Sequence, residues 1–129
     1  MEKSTQLSIA MENVPGQLGR LCRVMTGAKV NIRGISIAEA ADLSIIRLLV
    51  SDPESAKRAL RNAGVTFVAQ QVLVLDLEDR PGGLEFVAGR LGDAGINVQY
   101  MYGTSDGTDG KARLVLKVVD MERAWQILS

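Results

Sequence analysis

Two copies of one stretch decide the organisation of this chain: Asn13-Val14-Pro15-Gly16-Gln17-Leu18 and Asp79-Arg80-Pro81-Gly82-Gly83-Leu84. The spacing between the copies is constant, since the prolines differ by 81 − 15 = 66 positions and the leucines by 84 − 18 = 66. The asparagines of Val30-Asn31-Ile32 and Ile96-Asn97-Val98 also differ by 97 − 31 = 66, so the copies align without a gap. An internal repeat of this period predicts two small units, which we place at residues 5–69 and 70–129.

The residues around each copy change from a strand pattern to a helix pattern. Over residues 5–12, apolar residues alternate with polar or small ones, which is typical of a half-buried strand. After Pro15 the apolar residues recur at helical spacing, and the same change follows a strand at 72–78 in the second copy. The predicted inward stripes consist of Leu18, Leu21, Cys22 and Met25 in the first helix and Leu84, Val87, Ala88 and Leu91 in its counterpart.

Each unit then continues with a hairpin and a second helix. In the first unit, apolar segments at 30–39 and 43–51 flank a short polar turn, and Asp52 with Pro53 begins a helix that Gly64 ends. Residues 65–69 predict a fourth strand. The second unit repeats this order, with strands near 96–102 and 112–119 and a last helix after Asp120. Its hairpin is two residues longer, because the offset between Asp52 and Asp120 is 120 − 52 = 68, whereas the earlier offset is 66.

This order predicts an α+β fold of two ferredoxin-like βαββαβ units in tandem, each an antiparallel sheet with helices on one face. The second unit lacks its last strand in the sequence, so either a partner strand takes that place or the sheet edge stays open. We expect Ile45, Leu49 and Val115 on the sheet face away from the helices. Apolar residues there favour a further packing partner.

The composition argues against several functional classes. The 15 basic and 15 acidic residues balance, so direct binding to nucleic acid is not expected. We find neither a signal peptide nor a long apolar run, which predicts a cytoplasmic protein without a membrane span. The chain has one cysteine and no histidine, and Glu12 and Glu78 lie at ordinary strand ends. We therefore expect no enzyme activity, no metal and no cofactor.

The repeated turn is the best functional clue. Each Pro-Gly pair leads into a helix whose first N–H groups lack acceptors within the helix, and these groups can hold a carboxylate. Pro-Gly after a strand is also ordinary turn chemistry. Likewise, Asn31 and Asn97 either contribute to a site or merely satisfy backbone groups where a strand begins. Cys22 aligns with Ala88 and is interpreted as a small core residue.

On these residues, each copy resembles an ACT domain, a small ligand-binding module of amino-acid metabolism. The resemblance rests on a D/N-x-P-G-x-L turn after the first strand and on a G-I-N-I-like start of the second. Ala94-Gly95-Ile96-Asn97-Val98 fits the second pattern, whereas Ala28-Lys29 departs from the usual Ala-Gly in the first copy. The whole chain is similar to stand-alone tandem ACT proteins of bacteria.

The resemblance implies a non-catalytic amino-acid sensor, with the ligand held between neighbouring ACT units of a homodimer. It also leaves open a regulatory subunit of a separate enzyme, similar to the small subunit of acetohydroxyacid synthase. The turn amides are expected to bind the ligand's carboxylate, and Asn13 or Asp79 its ammonium. Because Asp79 is charged and Asn13 is not, the two sites are expected to differ in affinity. The candidate residues are Asn13, Val14, Pro15, Gly16, Gln17, Leu18, Asn31, Ile32, Asp79, Arg80, Pro81, Gly82, Gly83, Leu84, Asn97 and Val98.

The glycine-rich segment from Gly103 to Gly110 resembles a phosphate or calcium loop only superficially. Ser105 stands where a P-loop would have its first glycine, and Ala112 replaces the serine or threonine. Asp106 and Asp109 fall short of a calcium-binding loop. We interpret this segment as a mobile hairpin tip.

Overall fold

The structure is a computed structural model, and it describes residues 1–105 and 110–129. The chain divides into two compact units, which we call the first unit (Thr5–Gln70) and the second unit (Met1–Ser4 with Gln71–Ser129). Strands and helices follow one another in the predicted order, except that one strand spans the boundary between the repeats. The elements are β1 (Glu2–Glu12), α1 (Gln17–Gly27), β2 (Ile32–Ala40), β3 (Leu43–Val50), α2 (Pro53–Asn62), β4 (Phe67–Glu78), α3 (Gly83–Asp93), β5 (Val98–Ser105), β6 (Lys111–Val118) and α4 (Met121–Leu128).

The first unit has the strand order β2-β3-β1-β4. β3 pairs antiparallel with both β1 and β2, and Leu7 lies opposite Leu48 in the first of these pairings. The alternation of apolar residues in β1 and β3 therefore places one apolar face against the helices. Leu21 of α1 and Leu60 of α2 are fully buried in the same cluster as these strand residues, so both helices cover that face.

The second unit repeats this arrangement with the order β4-β6-β5. β6 pairs antiparallel with β4 and β5, and Leu73 lies opposite Leu116. Leu91 of α3 and Ala124 of α4 are buried in one cluster with these strand residues. The predicted α+β fold with two ferredoxin-like units is confirmed.

The start of the chain supplies the strand that the second repeat lacks. Met1–Ser4 belongs to the second unit, and β1 is the neighbour of β4 in the strand order. The Lys3 ammonium forms an ion pair with the Glu122 carboxylate and lies 5.2 Å from the centroid of the Trp125 ring. Neither a partner strand nor an open edge is therefore needed at this position.

The boundary between the repeats differs from the prediction. Separate strands were expected at 65–69 and 72–78, but β4 is one continuous strand that runs from Phe67 to Glu78. The reason is that Gln70 and Gln71 offer no turn residue, and a strand can pass through them without a break. The fourth strand of the first unit thus continues directly into the first strand of the second.

Fewer of the predicted residues of α1 and α3 face the core than expected. Leu18 and Leu84 are 42% and 46% exposed, Ala88 is exposed, and Cys22 is only half-buried. In α1, Val24 and Ala28 pack beside the buried Leu21 and Met25, so the helix presents a slightly rotated face to the core. The predicted helical spacing is correct, but the assignment of these four residues to the buried face of their helices was wrong.

The sheet face away from the helices is already shielded at two of the three predicted positions. Leu49 and Val115 are 0% and 3% exposed, and neither belongs to a cluster that includes helix residues. Ile45 is half-buried. The further packing partner expected on this face stays a prediction.

The two hairpins differ in where the strand before the turn ends. Ala41, in the short β2–β3 turn, has a positive φ of 56°. In the second unit, Gly103 lies inside β5 rather than in the turn, so the strand is longer than predicted. Asp106 and Asp109, which we assigned to the mobile hairpin tip, lie outside the described residues.

Candidate ligand-binding site

Each repeated turn is held by the same pair of backbone hydrogen bonds. In the first unit, the Asn13 N–H donates to the Asp42 carbonyl at 2.8 Å and the Val14 N–H donates to the Glu12 carbonyl at 2.9 Å. The counterparts in the second unit run from Asp79 to Gly110 at 2.8 Å and from Arg80 to Glu78 at 3.0 Å. The hairpin tip of each unit therefore helps to fix the turn that precedes its first helix.

A left-handed glycine begins the helix after each turn. Gly16 and Gly82 have φ values of 93° and 89°, which a residue with a side chain adopts only at a cost. The first helical hydrogen bonds are accepted by these same glycines, from Arg20 at 3.0 Å and from Phe86 at 3.1 Å. The N–H groups between them, such as those of Leu84 and Glu85, have no acceptor within the helix.

The four helices fall into two classes by their caps. The side chains of Asp52 and Asp120 each accept a hydrogen bond from a first-turn N–H of α2 and α4, at 3.1 Å. Among the described residues, no side chain caps α1 or α3. Each unit thus pairs a helix that has an aspartate cap with one whose start has no side-chain cap in the described part of the chain.

In the first turn, the side chains of Asn13 and Gln17 differ in their hydrogen bonding. Asn13 is exposed, and its Oδ1 accepts a hydrogen bond from the Ser44 hydroxyl at 3.1 Å. The Gln17 Oε1 atom is buried, and it has no hydrogen-bond partner in the described part of the chain. An amide oxygen in this state destabilises the folded unit, because it has lost its water without gaining a donor.

In the second turn, Gly83 stands where the first turn has Gln17. A Cβ atom at this position would lie 2.2 Å from the Glu78 carbonyl oxygen, so the backbone requires glycine here. The Gly83 N–H donates to the Arg80 carbonyl at 3.0 Å. Among the turn amides expected to bind a carboxylate, the one from Gly83 is therefore already engaged.

The predicted residues at the strand starts lie at exposed or half-buried positions. Asn31 and Asn97 are exposed, and the backbone of Asn31 exchanges hydrogen bonds with Ser51 at 2.9 and 3.0 Å. Ile32 and Val98 are half-buried and pack against the cores of their units. Each is followed by a register shift in its strand pairing, between Ile32 and Gly34 and between Val98 and Tyr100.

A cavity of about 500 Å³ opens beside the second turn. Four of the predicted residues line it, namely Arg80, Pro81, Gly82 and Gly83. This volume lies within the range of small-molecule sites. The remaining predicted residues of the second turn are Asp79 and Leu84, both exposed.

Charged side chains from two strands also line this cavity. The Lys111 ammonium lies 2.6 Å from a Glu78 carboxylate oxygen. This hydrogen bond, together with the positive charge of Lys111, lowers the pKa of Glu78 below its usual value. Arg80 adds a smaller effect in the same direction. Both Glu78 and Lys111 were absent from the predicted site, although each neighbours a glycine-containing turn in the sequence.

A groove of the first unit lies away from its turn. A space of about 570 Å³ lies between α1 and α2 and is lined by Arg23, Arg58 and Asn62, among others. None of the residues of the first turn lines this groove. The first turn is nevertheless accessible, since Asn13, Val14, Pro15, Gly16 and Leu18 are exposed and Gln17 is partly so.

Two features are absent from residues 1–105 and 110–129. No helix in these ranges has both the length and the apolar composition that a membrane span requires. No group of three or more potential metal ligands from histidine, cysteine, aspartate and glutamate comes together there.

Comparison with known families and structures gives a consistent assignment. A family model described as an ACT domain pair matches residues 3–129. The crystal structure of protein BT0572 from Bacteroides thetaiotaomicron has a TM-score of 0.92 and 31% sequence identity, covering 98% of this chain and 86% of that one. No curated protein sequence matches the chain significantly.

More distant structures share the fold alone. The regulatory subunit of aspartate kinase from Thermus thermophilus, in a ligand-free form, has a TM-score of 0.70 at 12% identity, covering 99% of this chain and 95% of that one. A structure of aspartokinase alpha and beta subunits has a TM-score of 0.63 at 16% identity, with coverage of 99% and 95%. The resemblance inferred from the repeated turn is confirmed by the family match.

Proposed function

Because this chain belongs to the family of ACT domain pairs, we propose that it is a non-catalytic regulatory protein that binds an amino acid at the starts of α1 and α3. One observation carries the proposal. Within the described residues, α1 and α3 begin without a side-chain cap, whereas α2 and α4 are capped by Asp52 and Asp120. A ligand carboxylate is the group that would complete the two uncapped helices.

The amides available for that carboxylate are those of the second and third helical positions. In α1 these belong to Leu18 and Gly19, and in α3 to Leu84 and Glu85. The partial positive charge of a helix start favours an anion at this point. The ligand's ammonium group would meet an oxygen of the preceding strand end, which in the second turn is the carboxylate of Asp79.

Regulation requires a second state with a different affinity for the ligand. We propose that this state is a different arrangement of chains in a homodimer, because units of this size bury small cores. The edge strand β2 is a suitable surface, since Ile35 and Ile37 are 42% and 49% exposed. An amino acid that binds one arrangement more tightly would then shift the balance between them.

Isothermal titration calorimetry against the twenty amino acids tests the proposal. We expect saturable heat from at least one of them, and a weaker response from Leu84→Pro. Proline at the second helical position removes an N–H that has no acceptor within the helix, so the fold is retained. Loss of one hydrogen bond to a charged group should weaken binding by roughly 10- to 100-fold.

The matched control is Glu54→Pro, which removes the same N–H position from α2, a helix with an aspartate cap. This variant should bind the amino acid as the unchanged protein does. The proposal is wrong if no amino acid gives heat above background. It is also wrong if the two proline variants weaken binding equally while circular dichroism shows both to be folded.

A further inference from the structure

The cavity of the second unit has an apolar wall in addition to its charged groups. Leu75, Leu77 and Val87 line it from β4 and α3, and Leu128 lines it from the end of α4. Phe86 completes this wall and is 65% exposed, which is unusual for a large aromatic side chain. Water in contact with this wall would be released if an apolar group took its place.

The polar side of the same cavity carries two basic residues, Arg80 and Lys111, and two acidic ones, Asp76 and Glu78. Arg80 has no ion-pair partner among the described residues, whereas Lys111 is paired with Glu78. An arginine guanidinium binds carboxylates through two parallel hydrogen bonds. The cavity therefore places a carboxylate-binding group beside an apolar wall, inside a single unit.

The first unit has a different residue at the equivalent of Phe86. Subtracting the repeat offset gives 86 − 66 = 20, and residue 20 is an arginine. The Arg20 Nη2 atom donates a hydrogen bond at 3.0 Å to the carbonyl of Ala63, directly after α2. In the first unit this position thus joins the two helices, and in the second unit it forms the wall of a cavity.

We propose that the cavity of the second unit binds the apolar side chain of the ligand, and that Phe86 selects 2-amino acids with a branched aliphatic or aromatic side chain. This inference rests on the proposed function and adds a ligand class and a residue that determines it. The ligand's carboxylate meets Arg80 and the start of α3, while its side chain packs against Phe86 and Leu128. The first unit, with Arg20 at this position, does not share the preference.

Calorimetry with leucine, phenylalanine, serine and aspartate tests the ligand class, and 4-methylpentanoate serves as a leucine analogue without the amino group. We expect leucine or phenylalanine to bind at least tenfold more tightly than serine or aspartate. Phe86→Arg gives the second unit the residue of the first. It should weaken binding of the apolar amino acid by about 10- to 100-fold, as expected for loss of a buried apolar contact.

The matched control is Ala88→Arg, which adds the same charge to an exposed position of α3 that does not line the cavity. It should leave the affinity within about twofold of the unchanged protein. Phe86→Leu, which keeps an apolar side chain, should retain most of the binding. Equal losses for Phe86→Arg and Ala88→Arg would mean that charge near α3, and not the apolar wall, controls affinity, and would overturn the inference.

The outcomes separate this inference from the proposed function. If serine or aspartate binds best and Phe86→Arg has no effect, the protein is an amino-acid sensor and the inference is wrong. If 4-methylpentanoate binds in a Phe86-dependent manner and no amino acid does, the cavity takes apolar carboxylates and the proposed function is wrong. If none of the five compounds binds, this inference is wrong, and the proposed function is wrong as well only if none of the other amino acids gives heat.

Discussion

The two repeated turns have the same backbone frame but different side chains at three aligned positions. Gln17, Arg20 and Leu43 in the first unit correspond to Gly83, Phe86 and Lys111 in the second. In the first unit these residues include a buried amide oxygen without a hydrogen-bond partner among the described residues and a link from α1 to the residue after α2. In the second they border a cavity with a salt bridge. The helix start is thus the same in both copies, and within the described residues the side chains around it border a cavity in the second copy.

The largest effect should come from exchanging the residues at the 17/83 position. Gly83→Ala places a Cβ atom against the Glu78 carbonyl oxygen, which belongs to the backbone and cannot move aside easily. We expect a loss of about 1–3 kcal/mol in the free energy of unfolding, as for other overpacked sites. Thermal and urea denaturation followed by circular dichroism would measure it.

Gln17→Ala is the corresponding change in the first unit. It removes the buried amide oxygen that has no partner among the described residues, so stability should be unchanged or slightly increased. Similar losses from both variants would show that the two turns are not as different as the structure indicates.

A smaller effect is expected at the 20/86 position. Arg20→Ala removes the hydrogen bond to the Ala63 carbonyl and should lower the free energy of unfolding by about 1 kcal/mol. Phe86→Ala, at a residue that is 65% exposed, should change it by less than about 0.5 kcal/mol. Urea denaturation of the two variants side by side makes the comparison. A greater loss from Phe86→Ala would assign a structural role to that side chain.

The smallest effect concerns the pH dependence of stability. Because Lys111 lowers the pKa of Glu78 in the folded state, the stabilisation is fully present above the unfolded pKa. It is lost as the pH falls through the lower, folded pKa. Glu78→Gln should therefore flatten part of the decline in melting temperature between neutral and acidic pH.

The control for this measurement is Glu12→Gln. Glu12 lies opposite Leu43, so its strand neighbour carries no charge, whereas Glu78 lies opposite Lys111. The acid decline of this variant should follow that of the unchanged protein. The same flattening in both variants would argue against a specific role for the pair of Glu78 and Lys111.

The sequence predicted those parts of the structure that depend on local patterns. The Pro-Gly turns, the cap at Asp52 and the helical spacing after each turn depend on short stretches of sequence, and the constant offset of 66 positions aligned the two units. The positions of Leu18 and Leu84 were misjudged because helical spacing alone does not show which of two adjacent stripes faces the core.

The features that the sequence did not predict depend on contacts between residues that lie far apart in the sequence. The contact that requires glycine at position 83 involves a carbonyl on the preceding strand, which spacing does not reveal. The cavity needs α3, α4 and β4 to be placed together before Phe86 and Leu128 can be recognised as one wall. A sequence comparison of the two repeats does show that Arg20 and Phe86 differ, and this was the available signal.

The inclusion of Met1–Ser4 in the second unit has a consequence for synthesis on the ribosome. Lys3 and its ion-pair partner Glu122 are separated by 119 positions. Translation must pass Glu122 before Lys3 can reach its final partner, while Thr5–Gln70 can assemble much earlier. During synthesis Met1–Ser4 therefore waits for its unit until α4 has emerged and completed it.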